Sequence, residues 1–275
     1  MYEIKKGNIV TRNSYGNDIY FYVKRVIKLA NKKSIVILKG IDVRIEADAP
    51  IDDLKLVTKE EYNNLEKEFE KRIKRRIEEQ IISVRTKEYI HTGKILHLDG
   101  DKKYTEKSMM YYKKLGLNAV VKNIPENKQP RIMNRYLSIY NPDILVITGH
   151  DGMIKNGIDY NNIYNYRNSR HFIESIKEAR KYDIKNKKNL VIFAGACQSY
   201  FEALIQAGAN FASSPGRILI DFLDPLVVAK NIALTEKNKY ITIDDFLSEL
   251  RDGKKGINGI GAMGKKEIYS YKNQM

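Results

Sequence analysis

Two short apolar runs, each halted by glycine and followed at once by one reactive side chain, constrain this 275-residue chain more than any other feature. The first is Asp143-Ile144-Leu145-Val146-Ile147-Thr148-Gly149-His150-Asp151-Gly152. The second is Asn189-Leu190-Val191-Ile192-Phe193-Ala194-Gly195-Ala196-Cys197-Gln198-Ser199. Both runs are β-branched and lack the apolar/polar alternation of a half-exposed strand, so they read as fully buried strands of a parallel sheet. In open α/β sheets the active groups lie just beyond the carboxyl ends of the strands. A helix-patterned stretch, residues 166–182, separates the two runs. A strand–helix–strand unit therefore brings His150 and Cys197, 197 − 150 = 47 residues apart, to one edge.

The rest of the chain fits around that unit. From residue 94 onward strand and helix patterns alternate: strands at 95–99 and 118–121, helices at 104–115 and 129–140. The second helix is stopped by Asn141-Pro142. After Cys197 come a helix at 199–207, a strand at 210–213, a helix opened by Asp224-Pro225, a strand at 240–243 and a helix at 244–250. This is an α/β pattern, a mainly parallel sheet with helices on both faces. The tail at 253–264 holds five glycines and reads as a loop. Residues 1–57 carry strand signals at 7–12, 19–26, 34–40 and 44–47, with Asp48-Ala49-Pro50 as a stop, which suggests a small SH3-like β module that docks or positions. In the segment 58–93, residues 59–82 form one long helix with Leu65, Phe69, Ile73, Ile77 and Ile81 as its apolar stripe. Its basic cluster at 71–76 reads as a solvated face, and 83–87 as an exposed linker. The remainder, 94–275, is the α/β domain.

The net charge of +15 invites a nucleic-acid reading. Its distribution argues against one: residues 1–58 carry 11 basic and 7 acidic groups, 59–93 carry 9 and 8, and the remainder 29 and 19. The excess is spread, not gathered on one face. No apolar run reaches the ~18 residues that span a bilayer. The first residues lack the apolar centre of a secretion signal, and a single cysteine forms no internal disulfide, so a reducing cytoplasm is expected. No phosphate-loop motif is present. Gly259-Ile260-Gly261-Ala262-Met263-Gly264 has a dinucleotide-type spacing with no strand before it. The lone cysteine and four histidines have no metal-ligand spacing.

Cysteine attacks through its thiolate, which needs a lowered pKa. A nearby histidine or a helix N-terminus supplies this, and a helix is expected to open at Gln198 or Ser199. The backbone amides of Asp151, Gly152 and Cys197 would then form an oxyanion hole for acyl transfer. A lone buried cysteine is ordinarily a small hydrophobe and a histidine after a strand an ordinary loop residue; the two at matching strand ends argue for a site. His97 reads as a core residue, His171 as helical and His91 as part of the linker. A scaffold or nucleic-acid-binding protein, and a different thiol amidase or acyltransferase, are the rival readings.

An apolar run ending in His-Gly and another ending in Ala-Cys are the signatures of caspase-like cysteine peptidases, whose caspase version has Gln-Ala-Cys about 50 residues after its histidine. Here Gly195-Ala196-Cys197 resembles that pattern. Asp151 separates His150 from Gly152, which leaves open the amide that completes the hole. Gly195 replaces the glutamine, so an aspartate-binding pocket is not implied.

Nearly the whole chain resembles the YabG-type sporulation peptidases. The likeness is carried by Ser14-Tyr15-Gly16-Asn17-Asp18, Leu38-Lys39-Gly40-Ile41-Asp42-Val43-Arg44, Leu96-His97-Leu98-Asp99-Gly100-Asp101, Ile147-Thr148-Gly149-His150-Asp151-Gly152 and Phe193-Ala194-Gly195-Ala196-Cys197-Gln198-Ser199. The resemblance implies a caspase-like fold and a cysteine endopeptidase that processes spore coat and cortex proteins in the sporulating cell, in association with the coat. It implies His150 and Cys197 as the catalytic pair, cleavage after arginine and self-cleavage; the thiol chemistry itself needs no metal or organic cofactor, although some relatives use calcium. An arginine pocket needs a carboxylate. Asp99 and Asp101, at the end of the first strand of the α/β domain, are the candidates. Arg76 and Arg85 are the candidates for self-cleavage.

Overall fold

The computed structural model describes residues 3–29, 33–84, 90–154 and 159–268. The first strands are β1 (Ile9–Arg12), β2 (Phe21–Lys28), β3 (Ser34–Gly40), β4 (Glu46–Pro50) and β5 (Leu54–Leu56). Among the described residues they form one antiparallel sheet in the order β4-β3-β2-β1-β5, with a bulge between Val23 and Arg25. The triplet Asp48-Ala49-Pro50, expected to stop a strand, belongs to β4 instead. This strand lies at the sheet edge, where proline's missing N–H costs no ladder bond.

Helix α1 (Lys59–Val84) follows as one piece and buries Phe69, Ile73 and Ile77, while Leu65 is only half buried. The side chain of Ile81 lies outside the described residues, as does Arg85. The chain then alternates through β6 (Ile90–His91), β7 (Ile95–Asp99), α2 (Lys102–Lys114), β8 (Ala119–Asn123), α3 (Gln129–Tyr140), β9 (Ile144–Thr148), α4 (Ser169–Asn186), β10 (Val191–Ala194), α5 (Phe201–Gln206), β11 (Phe211–Ser213) and α6 (Asp224–Leu234). It ends with β12 (Tyr240–Ile241), α7 (Gly253–Gly256), β13 (Ile257–Gly259), β14 (Ala262–Met263) and β15 (Glu267–Ile268). The expected helix at 244–250 is a 3-10 turn, Ile243–Glu249, capped by Thr242 and Asp245.

The central sheet has the order β13-β11-β10-β9-β7-β8, parallel from β8 to β11. The parallel strands thus run second-first-third-fourth-fifth, and the strand order reverses between β7 and β9. Ligand crevices of open α/β sheets open outside the carboxyl ends at such a reversal. Alternate strand residues feed opposite faces. Ile95, Val146 and Phe193 pack with α1, α2 and α6, through Ile73, Tyr111 and Leu226. Leu96, Leu145 and Ile192 pack with α3 and α4, through Met133, Leu137 and Phe172. The glycine-rich tail, expected as a loop, supplies the antiparallel edge strand β13. Its glycines allow close backbone approach: a Cβ on Gly259 would stand 2.1 Å from the Asn210 carbonyl oxygen. Among the described residues no helix is long and apolar enough to cross a membrane.

Candidate active site

The register of β9 and β10 pairs Ala194 with Ile147. Three residues further along each strand stand Cys197 and His150, at the same step beyond the sheet. On the other side of β9, Asp99 at the end of β7 is level with Thr148. The three residues therefore lie across the strand-order reversal.

His150 is fully buried. Its main-chain N–H donates to Glu126 Oε1 at 2.8 Å, and its ring stacks on Tyr104 with centroids 5.4 Å apart and planes at 10°. Nε2 lies 3.2 Å from the Gly40 carbonyl oxygen. A carbonyl only accepts, so Nε2 carries the proton and Nδ1, which has no hydrogen-bond partner among the described residues, holds the lone pair. Burial, aided by the nearby Lys39 ammonium, lowers the imidazole pKa to about 4, so the ring is neutral.

Cys197 is also fully buried, in an apolar cluster that includes Val43, Ile45 and Ile220. Its sulfur accepts the Ile220 N–H at 3.0 Å. The turn leading to it needs Gly195 at φ +113, and Gln198 follows at φ +54. Helix α5 begins at Phe201, four residues beyond the cysteine, rather than at the expected Gln198 or Ser199. The expected lowering of the thiol pKa is therefore absent in this arrangement: burial pushes it up to about 12. Among the described residues no hydrogen bond joins the sulfur to the His150 ring.

The amides of Cys197 and Asp151 converge. Both donate to a single oxygen, the carbonyl of Arg44, at 3.2 Å each. The Gly152 amide is instead committed to Asp151 Oδ1 at 2.9 Å. The Asp151 carboxylate fastens the two turns together. It accepts from Asn168 N–H at 2.8 Å, Ser169 Oγ at 2.5 Å and Ser199 Oγ at 2.9 Å, and Ser199 Oγ in turn accepts the Ala196 N–H. Burial raises the Asp151 pKa to about 6 against those hydrogen bonds.

Asp99 and Asp101 differ in role. Asp101 caps α2, accepting the N–H groups of Lys103 and Tyr104, and also takes the Tyr22 hydroxyl at 3.0 Å. Asp99 is fully buried and accepts from Arg44 Nη1 at 2.6 Å, Thr148 Oγ1 at 2.9 Å and the Asp101 N–H at 2.8 Å. The guanidinium of Arg44, itself fully buried, lies over the Tyr104 ring at 4.6 Å and the Phe222 ring at 5.4 Å. Burial opposes its charge, and its surroundings, Asp99 first with Tyr104 and Asp101 beside it, more than offset this and raise its pKa. His97 is a neutral core residue beside this pair, with Nε2 2.6 Å from Thr148 Oγ1.

Arg76 stands within α1, and part of its basic cluster, expected as a solvated face, turns inward. Arg76 reaches Asp221 at 3.2 Å, Asp224 at 3.5 Å and the Glu249 carbonyl at 2.5 Å. Arg72 approaches Asp221 at 3.7 Å, while Lys74 and Arg75 are exposed. His171 lies on α4, and His91 in β6 pairs with β15. Among the described residues no cluster of three or more His, Cys, Asp or Glu could hold a metal.

Four groups of the site were not singled out from sequence: Arg44, Tyr104, Glu126 and the Asp151 side chain. Only Glu126 leaves a local signal. A Cβ on Gly100 or Gly149 would stand 2.3 or 2.5 Å from its carboxyl, so two glycines at the ends of adjacent strands mark a buried group between them.

The family model described as YabG peptidase U57 matches residues 5–269. The sporulation-specific protease YabG of Bacillus subtilis (strain 168) is 38% identical over 279 residues, covering 95% of this chain and 96% of that protein. Two crystal structures of the receiver domain of the Arabidopsis thaliana histidine kinase CKI1, one with Mg2+ and one also with BeF3-, cover 50% of this chain and 90% and 87% of theirs, at 17% and 15% identity. Their TM-scores of 0.33 and 0.31 are below the level at which a shared fold follows.

Proposed function

This chain belongs to the YabG peptidase family, U57, and from that premise we propose that it is a cysteine endopeptidase of sporulation that cleaves after arginine. The reading rests above all on one observation. His150 and Cys197 stand at the same step beyond adjacent parallel strands, where the amides of Asp151 and Cys197 point at one carbonyl oxygen.

In this mechanism the Cys197 sulfur attacks the scissile carbonyl carbon. The amides of Asp151 and Cys197 hold the oxyanion; preorganised donors of this kind typically contribute ~10²–10³ in rate each. His150 takes the thiol proton and passes it to the leaving amine, then activates the water that releases the acyl-enzyme. The Asp99 carboxylate receives the substrate guanidinium, and the Tyr104 and Phe222 rings flank it. Asp101 acts by capping α2 and so fixing the end of β7. The parallel sheet is read as caspase-like (residues 94–275), the first sheet as an SH3-like docking module (1–57), and 58–93 as the helical connection. The substrates are read as spore coat and cortex proteins, met in the sporulating cell and at the coat.

The test is digestion of an arginine-containing protein by the wild-type chain and by Cys197→Ala, read by mass spectrometry. A product ladder ending in arginine, absent with Cys197→Ala, is expected. Ladders ending at other residues remove the specificity, and a ladder that survives Cys197→Ala removes the cysteine mechanism.

A further inference from the structure

One stretch of the first sheet's module stays tied to that sheet at both ends, by the Ile41 N–H to the Tyr20 carbonyl and the Gly40 N–H to the Ile45 carbonyl, and reaches beyond it between them. Residues 41–45, between β3 and β4, and Glu46 at the start of β4 cross the carboxyl edge of the central sheet. Ile41 and Asp42 bend, and Val43, Arg44, Ile45 and Glu46 after them are all buried, so both faces of this bridged stretch are covered. Val43 makes an antiparallel bridge to Asp221, Ile45 a parallel bridge to Asp151, and the Glu46 N–H donates to the Asp151 carbonyl at 2.7 Å. A Cβ on Gly152 would stand 2.3 Å from the Glu46 carbonyl oxygen, so the glycine leaves room for this passing backbone. Backbone pairing on both sides is how a groove holds an extended peptide.

Arg44 stands at the centre of this segment. Its carbonyl oxygen receives the two converging amides, and its side chain reaches Asp99. Its grip is incomplete: Nε and Nη2 have no hydrogen-bond partner among the described residues. Buried arginines that serve only packing are normally saturated, and an unsaturated one calls for a reason. A group that has to leave its pocket is such a reason.

We propose that residues 41–46 are a substrate built into the chain, seated in its own groove, and that Arg44–Ile45 is the bond this enzyme cuts in itself. This rests on the peptidase reading above and extends it by fixing the bond and its intramolecular delivery. The Cys197 sulfur bonds to the Arg44 carbonyl carbon, and the thiol proton passes through His150 to the Ile45 nitrogen as the C–N bond breaks. Water then splits the thioester: its hydroxyl goes to the Arg44 carbonyl carbon, its proton returns to sulfur, and the new carboxyl group releases its own proton to solvent. Until that cut, Val43 and Ile45 cover the sulfur, and an external arginine finds Asp99 taken.

The test uses the full chain, wild type and Cys197→Ala, incubated at several concentrations. N-terminal sequencing and intact mass follow the chain, and a short arginyl peptide reports hydrolysis in trans. A new end at Ile45 is expected, formed at a rate independent of protein concentration, absent in Cys197→Ala, with peptide hydrolysis rising in step. Peptide hydrolysis at full rate from the outset with Arg44–Ile45 intact, new ends only at other arginines, or a rate that grows with concentration overturns the proposal and leaves the peptidase reading in place. Hydrolysis of neither the chain nor any arginyl substrate overturns both.

Discussion

Replacing Asp99 with asparagine gives the sharpest test of how this site is held together. The side chain keeps its shape and loses its charge, and Arg44 is left as an unpaired cation with no exposure to water. Removing one partner of a buried ion pair costs about 3–5 kcal/mol, because the other charge stays desolvated. In a chain of this size each kcal/mol lowers Tm by about 2–4 °C, so a fall of about 6–20 °C is expected. Arg44→Met removes the other partner and retains most of the buried volume. The assay is urea unfolding of both single variants and of the double. Coupled groups give a double variant less destabilised than the sum of the singles, here by at least about 1.5 kcal/mol. Additivity within about 0.5 kcal/mol would refute the reasoning, since it would mean that neither charge depends on the other.

Three further outcomes follow from the same geometry. Gly152→Ala drives a methyl group into the Glu46 carbonyl, so a loss of about 1–3 kcal/mol in urea unfolding is expected. Arg76→Ala leaves the buried Asp221 and Asp224 carboxylates without their nearest cation; a loss of about 3 kcal/mol is expected, read from the urea midpoint at pH 8. Asp224, pushed up to about 7 by burial and by Asp221, then takes up a proton more readily still, and the loss shrinks at pH 6. For His150 the folded pKa of about 4 lies below the ordinary value of 6.5. Its contribution is therefore fully present above pH 6.5 and lost as pH falls toward 4. His150→Gln is expected to flatten the stability–pH curve in that window by up to about 1.4 kcal/mol per pH unit, and an unchanged slope would contradict the buried neutral ring.

The parts legible in sequence were those with local causes. The β9 and β10 runs announce buried parallel strands through unbroken apolar content, and that placement carries His150 and Cys197 to one edge. The α1 stripe at Phe69, Ile73 and Ile77 is set by helical period alone. Arg44 was illegible because its partner Asp99 is 55 residues away. In isolation Val43-Arg44-Ile45-Glu46 reads as a half-exposed strand with its charges in water. Only the second layer, the carboxyl edge of the central sheet, covers the charged face. Arg76 misleads for the same reason: on a helix so rich in charge, nothing local distinguishes the arginine that meets Asp221 from Arg75, which meets solvent. The tail glycines suggest freedom, yet at Gly259 the absent side chain serves contact with Asn210.

The central claim, that Cys197 is the attacking atom of an arginine-specific site, is tested most directly by covalent capture. The chain, incubated until peptide hydrolysis is maximal, is treated with an arginine-derived thiol-reactive electrophile and mapped by mass spectrometry. One adduct on Cys197 is expected, formed in step with loss of hydrolysis and slowed by free arginyl peptide. Hydrolysis that persists with Cys197 fully modified, or that is lost while Cys197 remains unmodified, would contradict it.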